Sequence, residues 1–333
     1  MTSPTTSRVA RTLAGLLFFC LAAMPVAARA QQAQDFTEEQ YKLYEEIKAT
    51  TDTAAKVDKA ARFLKENPKT SLREHVLSEY HTVIVNLGQQ NNYAQIITLG
   101  EKFLAAVPDD DFTFAAMAEA YSKTNNTKGF AAFGEKAYAA NPSGQLAHAL
   151  AGAYQQLGNQ AKFAQWGERA LAKDSGLYDI TDGLTRYYLS AQDTAKANKY
   201  AKMTVAALPK AEKPATVSAA DWKKATDSYY ATAYYTIGIS AYQNQSYTSA
   251  ITNLEKSVGY YKRNDTAYYH LGLAHWQSGK SAPAMLNFAK AYVLKGSAST
   301  AARQYLEKLW KSSHRGSLTG VENVIKKAEE ELK

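Results

Sequence analysis

Cysteine is nearly missing from this sequence. Of its 333 residues only Cys20 is one, and it lies in an apolar run near the N-terminus. The rest of the chain has no thiol for a disulfide or a cysteine-ligated metal, which suits an oxidising compartment. Proline is scarce as well, at 8 residues, so long stretches carry nothing that interrupts a helix. No run alternates apolar and polar residues long enough to argue for a sheet. HExxH, GxSxG, GxGxxG and a phosphate-binding glycine loop are all missing. Of the histidines, His270 and His275 are five apart, which does not give the shared helix face of i,i+4 zinc ligands. The sequence is read as that of a non-enzyme, with no cofactor and no metal site.

The first thirty residues stand apart. Arg8 and Arg11 precede an apolar run from Leu13 to Met24, Pro25 ends it, and Ala28-Arg29-Ala30 supplies small residues. This is the pattern of a secretory signal peptide over residues 1–30, cut after Ala30. The run is short for a membrane-spanning helix, so no span is expected after cleavage, with an uncleaved anchor as the alternative. Phe19 rather than a small residue precedes Cys20, which argues against lipidation there. The expected location is exported, periplasmic or secreted. Without the leader the chain holds 36 Lys and Arg against 31 Asp and Glu. That excess reads as diffuse, and nucleic acid is not an expected partner because it needs a clustered basic face.

What is present is a repeat. Tyr234-x2-Ile237-Gly238, Tyr247 and Ala250-x3-Leu254 recur 34 residues later as Tyr268-x2-Leu271-Gly272 and Ala284-x3-Phe288. Asn244-Gln245 and Ser278-Gly279-Lys280 fall where a helical hairpin reverses. The pattern resembles the tetratricopeptide repeat (TPR), a helix–turn–helix unit. The resemblance implies an all-α, right-handed α-solenoid of about six to seven repeats plus a C-terminal capping helix. It also implies binding along an extended surface, since single units bury their apolar faces only by stacking.

Earlier units carry the pattern in altered form. Gly100-Glu101-Lys102, Gly134-Glu135-Lys136 and Gly167-Glu168-Arg169 are spaced 34 and 33 residues apart. Large and small residues are exchanged at Ile96-x3-Gly100, Phe130-x3-Gly134 and Phe163-x3-Gly167, a swap that nearly keeps volume. The glycines are expected to mark close backbone contact. Residues 31–209 read as N-terminal repeats, the first degenerate, and residues 210–229 as an inserted segment, either a lengthened helix with a loop or a lip beside a groove. Residues 230–297 are the two clear repeats, and 298–333 are capping helices. Asp109-Asp110-Asp111 reads as a solvated loop or helix cap, Ser218 as the cap of a helix into Trp222, and Thr319 with Glu322 as a capping box.

In the family, one face of each first helix lines a concave groove. Matching columns here hold Tyr235, Ile239 and Tyr242 in one clear unit and Tyr269, Leu273 and Trp276 in the next. The earlier units place His81, Val85 and Gly88, then Ala115, Glu119 and Ser122, then His148, Gly152 and Gln155, then Asp182, Arg186 and Leu189 there. The lysine and asparagine that hold chaperone C-terminal carboxylates in some members have no match in these columns. The implied function is an exported scaffold binding a protein or peptide segment in an envelope or periplasmic assembly. A small-molecule or glycan binder using the Tyr/Trp groove is the alternative. The weighed alternative for the patch is that the Trp222 segment or the Tyr305–Trp310 helix folds over it. Five Tyr-Tyr pairs place neighbouring rings about 100° apart on a helix, one toward the core and one outward. Asn125, Asn244 and Asn264 begin Asn-x-Ser/Thr sequons.

Overall fold

The computed structural model describes residues 36–333; the leader assigned to residues 1–30 lies outside them. Among the described residues there are α-helices and no strand, so the chain is all-α. In order they are α1 Glu38–Ala49, α2 Thr53–Glu66, α3 Arg73–Gln89, α4 Tyr93–Ala106, α5 Asp111–Lys123, α6 Thr127–Ala140, α7 Gly144–Gln156 and α8 Gln160–Leu171. Then come α9 Tyr178–Ser190, α10 Thr194–Ala207, α11 Ala219–Gln243, α12 Tyr247–Tyr260, α13 Asp265–Gln277, α14 Ser281–Val293, α15 Ser299–Ser313 and α16 Val321–Glu331. Consecutive helices pair as TPR-like hairpins, and the chain divides into compact units at Met1–Trp166 and Gly167–Lys333.

The turns explain the regularity. Asn91, Asn125, Gly158, Gln192, Gln245 and Gly279 all have left-handed backbone, with φ between 53° and 79°. The next residue then donates its N–H to a carbonyl five positions back, as in Asn92 to Leu87 and Asn126 to Tyr121, both at 2.9 Å. This closes the first helix. The same residue opens the second helix: the side chains of Asn92, Asn126 and Asp193 accept from backbone N–H groups three residues on. One dipeptide thus ends one helix and caps the next. The left-handed residues from Gln192 to Gln245 are 53 apart, against 34 from Asn91 to Asn125, and the difference is the inserted stretch.

That stretch is continuous with α11, which runs 25 residues. Ser218 caps it by accepting the N–H of Asp221 at 3.1 Å. Trp222 lies edge-on to Tyr178 of α9, with centroids 5.8 Å apart.

The recurrent glycines do pack tightly, but against side chains rather than backbone. A Cβ on Gly100 would stand 2.6 Å from Met117, and one on Gly134 2.8 Å from Leu150. In the clear repeats Gly238 is filled by Leu254 and Gly272 by Phe288, each 2.7 Å from a Cβ placed there. Leu254 and Phe288 are fully buried. The exchanged columns therefore serve the contact with the following pair, while Gly238 and Gly272 serve the contact inside their own pair.

One reading of a local cap needs correction and another holds. Thr319 does not cap α16: the N-cap is Gly320, with φ 90°. The Thr319 carbonyl instead accepts the Trp310 indole N–H at 3.2 Å, and Glu322 is drawn to Arg303 at 3.0 Å. Asp110 is a cap, but a buried one: it accepts the Thr113 N–H and hydroxyl and meets His81 Nε2 at 3.0 Å.

Candidate functional site

In the C-terminal unit the first helices of successive pairs are α9, α11, α13 and α15, and their side chains meet from one to the next. Arg186 of α9 donates to the Thr232 hydroxyl of α11 at 2.8 Å. Tyr235 of α11 lies edge-on to His270 of α13 at 5.7 Å. Tyr269 and Trp276 of α13 reach Tyr305 of α15 at 5.9 and 5.6 Å. These contacts join the first-helix faces into one surface.

Of the six side chains assigned to the groove from sequence, Tyr235, Tyr269 and Trp276 make these contacts, and all six are half-buried. Tyr235, Tyr242, Tyr269, Leu273 and Trp276 pack at the margin of the core built by Leu271, Phe288 and Leu306. Ile239 is half-buried on α11 between Tyr235 and Tyr242. Tyr242 also touches Tyr247 of its own hairpin at 5.7 Å. Burial raises the phenol pKa of Tyr235, Tyr242 and Tyr269, so these hydroxyls stay protonated and able to donate.

The Tyr305–Trp310 helix, the expected alternative cover for this patch, packs on its α13 part and adds two groups to it. Tyr305 sits against both Tyr269 and Trp276, and the Lys308 ammonium lies 5.4 Å from the Trp276 ring centre. Tyr305 stands 34 residues after Leu271 and Lys308 34 after Ala274, neither of them a groove column, so the groove columns could not reveal them. In the inserted segment the Trp222 indole packs on Tyr178 of α9.

Three polar residues of the earlier columns, His81, Asp182 and Arg186, are engaged internally. His81 is held by Asp110 and packs at a tilt against Phe112, with ring centroids 4.1 Å apart. Asp182 is buried and accepts from Arg186 at 2.8 Å through one oxygen, while its Oδ1 has no partner. The histidines of α13 are structural: His270 Nδ1 is bonded to the Thr266 carbonyl at 2.8 Å, and His275 is buried. Burial lowers the pKa of both rings.

No family model matches the sequence, and no curated protein matches it. Solved structures resemble it in fold. The crystal structure of MamA protein is 17% identical, covering 55% of this chain and 90% of that one, with a TM-score of 0.40. MamA 41-end from Desulfovibrio magneticus RS-1 is 15% identical, covering 56% of this chain and 93% of its own, at 0.40. A tetratricopeptide repeat protein from Parabacteroides merdae ATCC 43184 is 13% identical, covering 82% of this chain and 97% of its own, at 0.32. Likeness at this level bears on neither partner nor activity.

Two hollows lie elsewhere, at the hairpin turns. One of about 700 Å³ is shallow, open and lined by Gln245, Ser246, Tyr247, Thr248, Ser249, Thr252, Asn253 and Ser278. A second, of about 570 Å³, repeats the position between Ala94, Ile97, Thr124, Asn125 and Asn126. Neither is an enclosed pocket. Among the described residues no cluster of His, Cys, Asp or Glu could hold a metal ion, and no helix is long and apolar enough to cross a membrane.

Proposed function

We propose that this chain is an exported, non-catalytic scaffold that binds a segment of another protein along the first-helix face of its C-terminal unit. The observation that carries this reading is the row Tyr235, Ile239, Tyr242, Tyr269, Leu273 and Trp276, which packing leaves half-buried on one continuous surface. Large aromatic side chains with one face free dominate binding energy once a partner removes the remaining water. A row of side chains with no enclosed pocket fits a chain segment better than a small molecule, which needs a concave site.

The test is affinity capture from an extracytoplasmic fraction, comparing the parent with a Tyr242→Ala/Trp276→Ala double variant. A stoichiometric protein that the parent retains and the variant loses, with the variant still folded by circular dichroism, supports the reading. Equal retention by both overturns the site. Capture of no protein, with thermal stabilisation by a sugar or metabolite, replaces the reading with the small-molecule alternative. Sequencing the N-terminus of the native protein tests export: a start near Gln31 is expected, and an intact Met1 in a cytosolic fraction refutes it.

A further inference from the structure

Charge is unevenly divided between the two compact units. Residues 167–333 hold 23 Lys and Arg against 15 Asp and Glu, whereas residues 31–166 hold 13 against 16. The excess read as diffuse along the sequence therefore belongs to the unit with the aromatic row. Many acids of that unit are already engaged. Asp182 holds Arg186, Glu307 and Glu322 share Arg303, and Glu331 holds Lys290 at 2.6 Å. Glu168 accepts the phenols of Tyr188 and Tyr200, and Asp265 accepts the Ala298 N–H at 2.8 Å.

The cations near the row are not so engaged. Lys308 lies over Trp276 and forms no ion pair among the described residues; Lys311 and Arg315, further along the same end, form none either. All three are exposed. The Trp276 indole N–H also makes no hydrogen bond among the described residues. The row itself contains no cation: no Lys or Arg occurs between Lys224 and Lys256, or between Arg263 and Lys280. The surface is thus apolar and aromatic along α11 and α13, with hydrogen-bond donors and positive charge gathered at the α15 end.

We infer that the occupant is an acidic peptide segment, its carboxylates at the Lys308–Lys311 end and its apolar side chains along Tyr235, Tyr242, Tyr269 and Trp276. This rests on the docking surface proposed above and names the chemistry it selects. A carboxylate accepts from an ammonium and from an indole N–H, and bonds to an ionised partner are the stronger kind. Nucleic acid fits less well, because its charge repeats along the whole strand and needs cations throughout, whereas these stand at one end. Complementary charge of this kind sets orientation and partner choice more than total affinity.

The experiment measures fluorescence anisotropy of labelled peptides with the whole chain. The first peptide has three glutamates at one end and alternating Phe and Ser beyond; the second replaces glutamate by glutamine; the third probe is a thymidine oligonucleotide. Binding of the acidic peptide about tenfold tighter than its glutamine analogue is expected, roughly the size of one or two good charge contacts. Lys308→Glu/Lys311→Glu should abolish that preference without moving the melting midpoint, since both residues are exposed. Tyr242→Ala/Trp276→Ala should weaken both peptides alike. Equal binding of the two peptides, with loss on the aromatic change, overturns the acidic selectivity and leaves the docking surface standing. Loss on the lysine change with indifference to the aromatic change overturns both, leaving surface adsorption. Preference for the oligonucleotide overturns the peptide class. Binding of neither peptide, with captured protein partners indifferent to Lys308→Glu/Lys311→Glu, also refutes the inference.

Discussion

The phenol of Tyr154 donates to the carboxylate of Glu135 at 2.8 Å, tying the first helix of one pair to the second helix of the pair before it. The bond recurs at Tyr121 to Glu101, also 2.8 Å, and at Tyr188 to Glu168, 2.7 Å. Each glutamate directly follows the glycine that admits the next pair, so the Gly-Glu dipeptide has two tasks. Glycine makes room for Met117, Leu150 or Ile180, and glutamate fixes the register by a charged hydrogen bond. Glu135 collects two more donors, Lys162 at 2.7 Å and Trp166 at 3.2 Å.

Glu135→Ala should therefore destabilise the chain by about 1–3 kcal/mol, the range for removing a charged hydrogen-bond acceptor, with the lower half more apt for a partly exposed group. Burial alone would raise the Glu135 pKa, but the bonds from Lys162, Tyr154 and Trp166 outweigh it and hold the carboxyl below its usual value. Burial and then Glu135 push the Tyr154 phenol up to about 12. A depressed carboxylate stabilises above its ordinary titration range and loses that contribution as pH falls through the folded value. Urea unfolding from pH 7 down to pH 2 should show the Ala variant and parent converging at the acid end. A constant gap would refute the assignment.

The hairpin turns make a separate prediction. Gln192 and Gln245 have φ of 59° and 58°, where a side chain strains the backbone by about 1–2 kcal/mol. Gln192→Gly should raise stability by roughly 0.5–1 kcal/mol, the relief being partly offset by glycine's unfolded entropy. Gln192→Val should lower it. Chemical denaturation of the two variants, with midpoint shifts of opposite sign, checks the turn geometry; shifts of the same sign would contradict it.

Legibility in the sequence followed the repeat and stopped where the repeat stopped. Tyr234 and Tyr268, with Gly238 and Gly272, announce two hairpins because identical packing recurs at equal spacing. Asn91, Asn125, Gly158 and Gln192 carried the same signal for the earlier turns, but three residue types share that task, so no single letter recurs. The Glu–Tyr bond could not be read, because its partners lie 19 or 20 residues apart on different pairs. Tyr305 and Lys308 come from the capping helix, at the 34-residue positions of Leu271 and Ala274 rather than of the groove columns. Thr319 and Glu322 looked like a cap from local spacing, and two distant residues, Trp310 and Arg303, took them for other bonds.

Gly272→Leu tests the clearest column. A Cβ at Gly272 already stands 2.7 Å from the ring of Phe288, which is fully buried. Overpacking of this kind costs about 1–3 kcal/mol. Phe288→Ala alone should also destabilise, by roughly 3–5 kcal/mol. The two together should cost less than their sum, because the leucine enters the space the ring vacates. Strict additivity in thermal unfolding would place the two residues out of contact and refute the register of α13 on α14.

Asp182 should behave opposite to Glu135. It is buried, one oxygen accepts from Arg186, and the other has no partner. Burial raises its pKa, against the pull of Arg186 and with a further push from Asp179. Tyr229, whose own phenol is raised by burial and then by Asp182, and Arg186 complete the charged and titratable surroundings. A carboxyl with a raised folded pKa contributes stability that is full below its unfolded value, about 3.9, and lost as pH rises through the folded value. Asp182→Asn keeps the shape, supplies an uncharged amide and removes the ionisation. At pH 4 the variant and parent should differ little. As pH rises to 7 the parent should lose ground, leaving the variant equal or more stable, since neutral replacements of incompletely paired buried charges are often stabilising. Arg186 survives the change, because half its side chain is exposed and it keeps its bond to Thr232. Urea midpoints of both proteins across that range decide the matter. A variant that loses stability relative to the parent as pH rises would show that Arg186 outweighs burial and that Asp182 is held as a carboxylate.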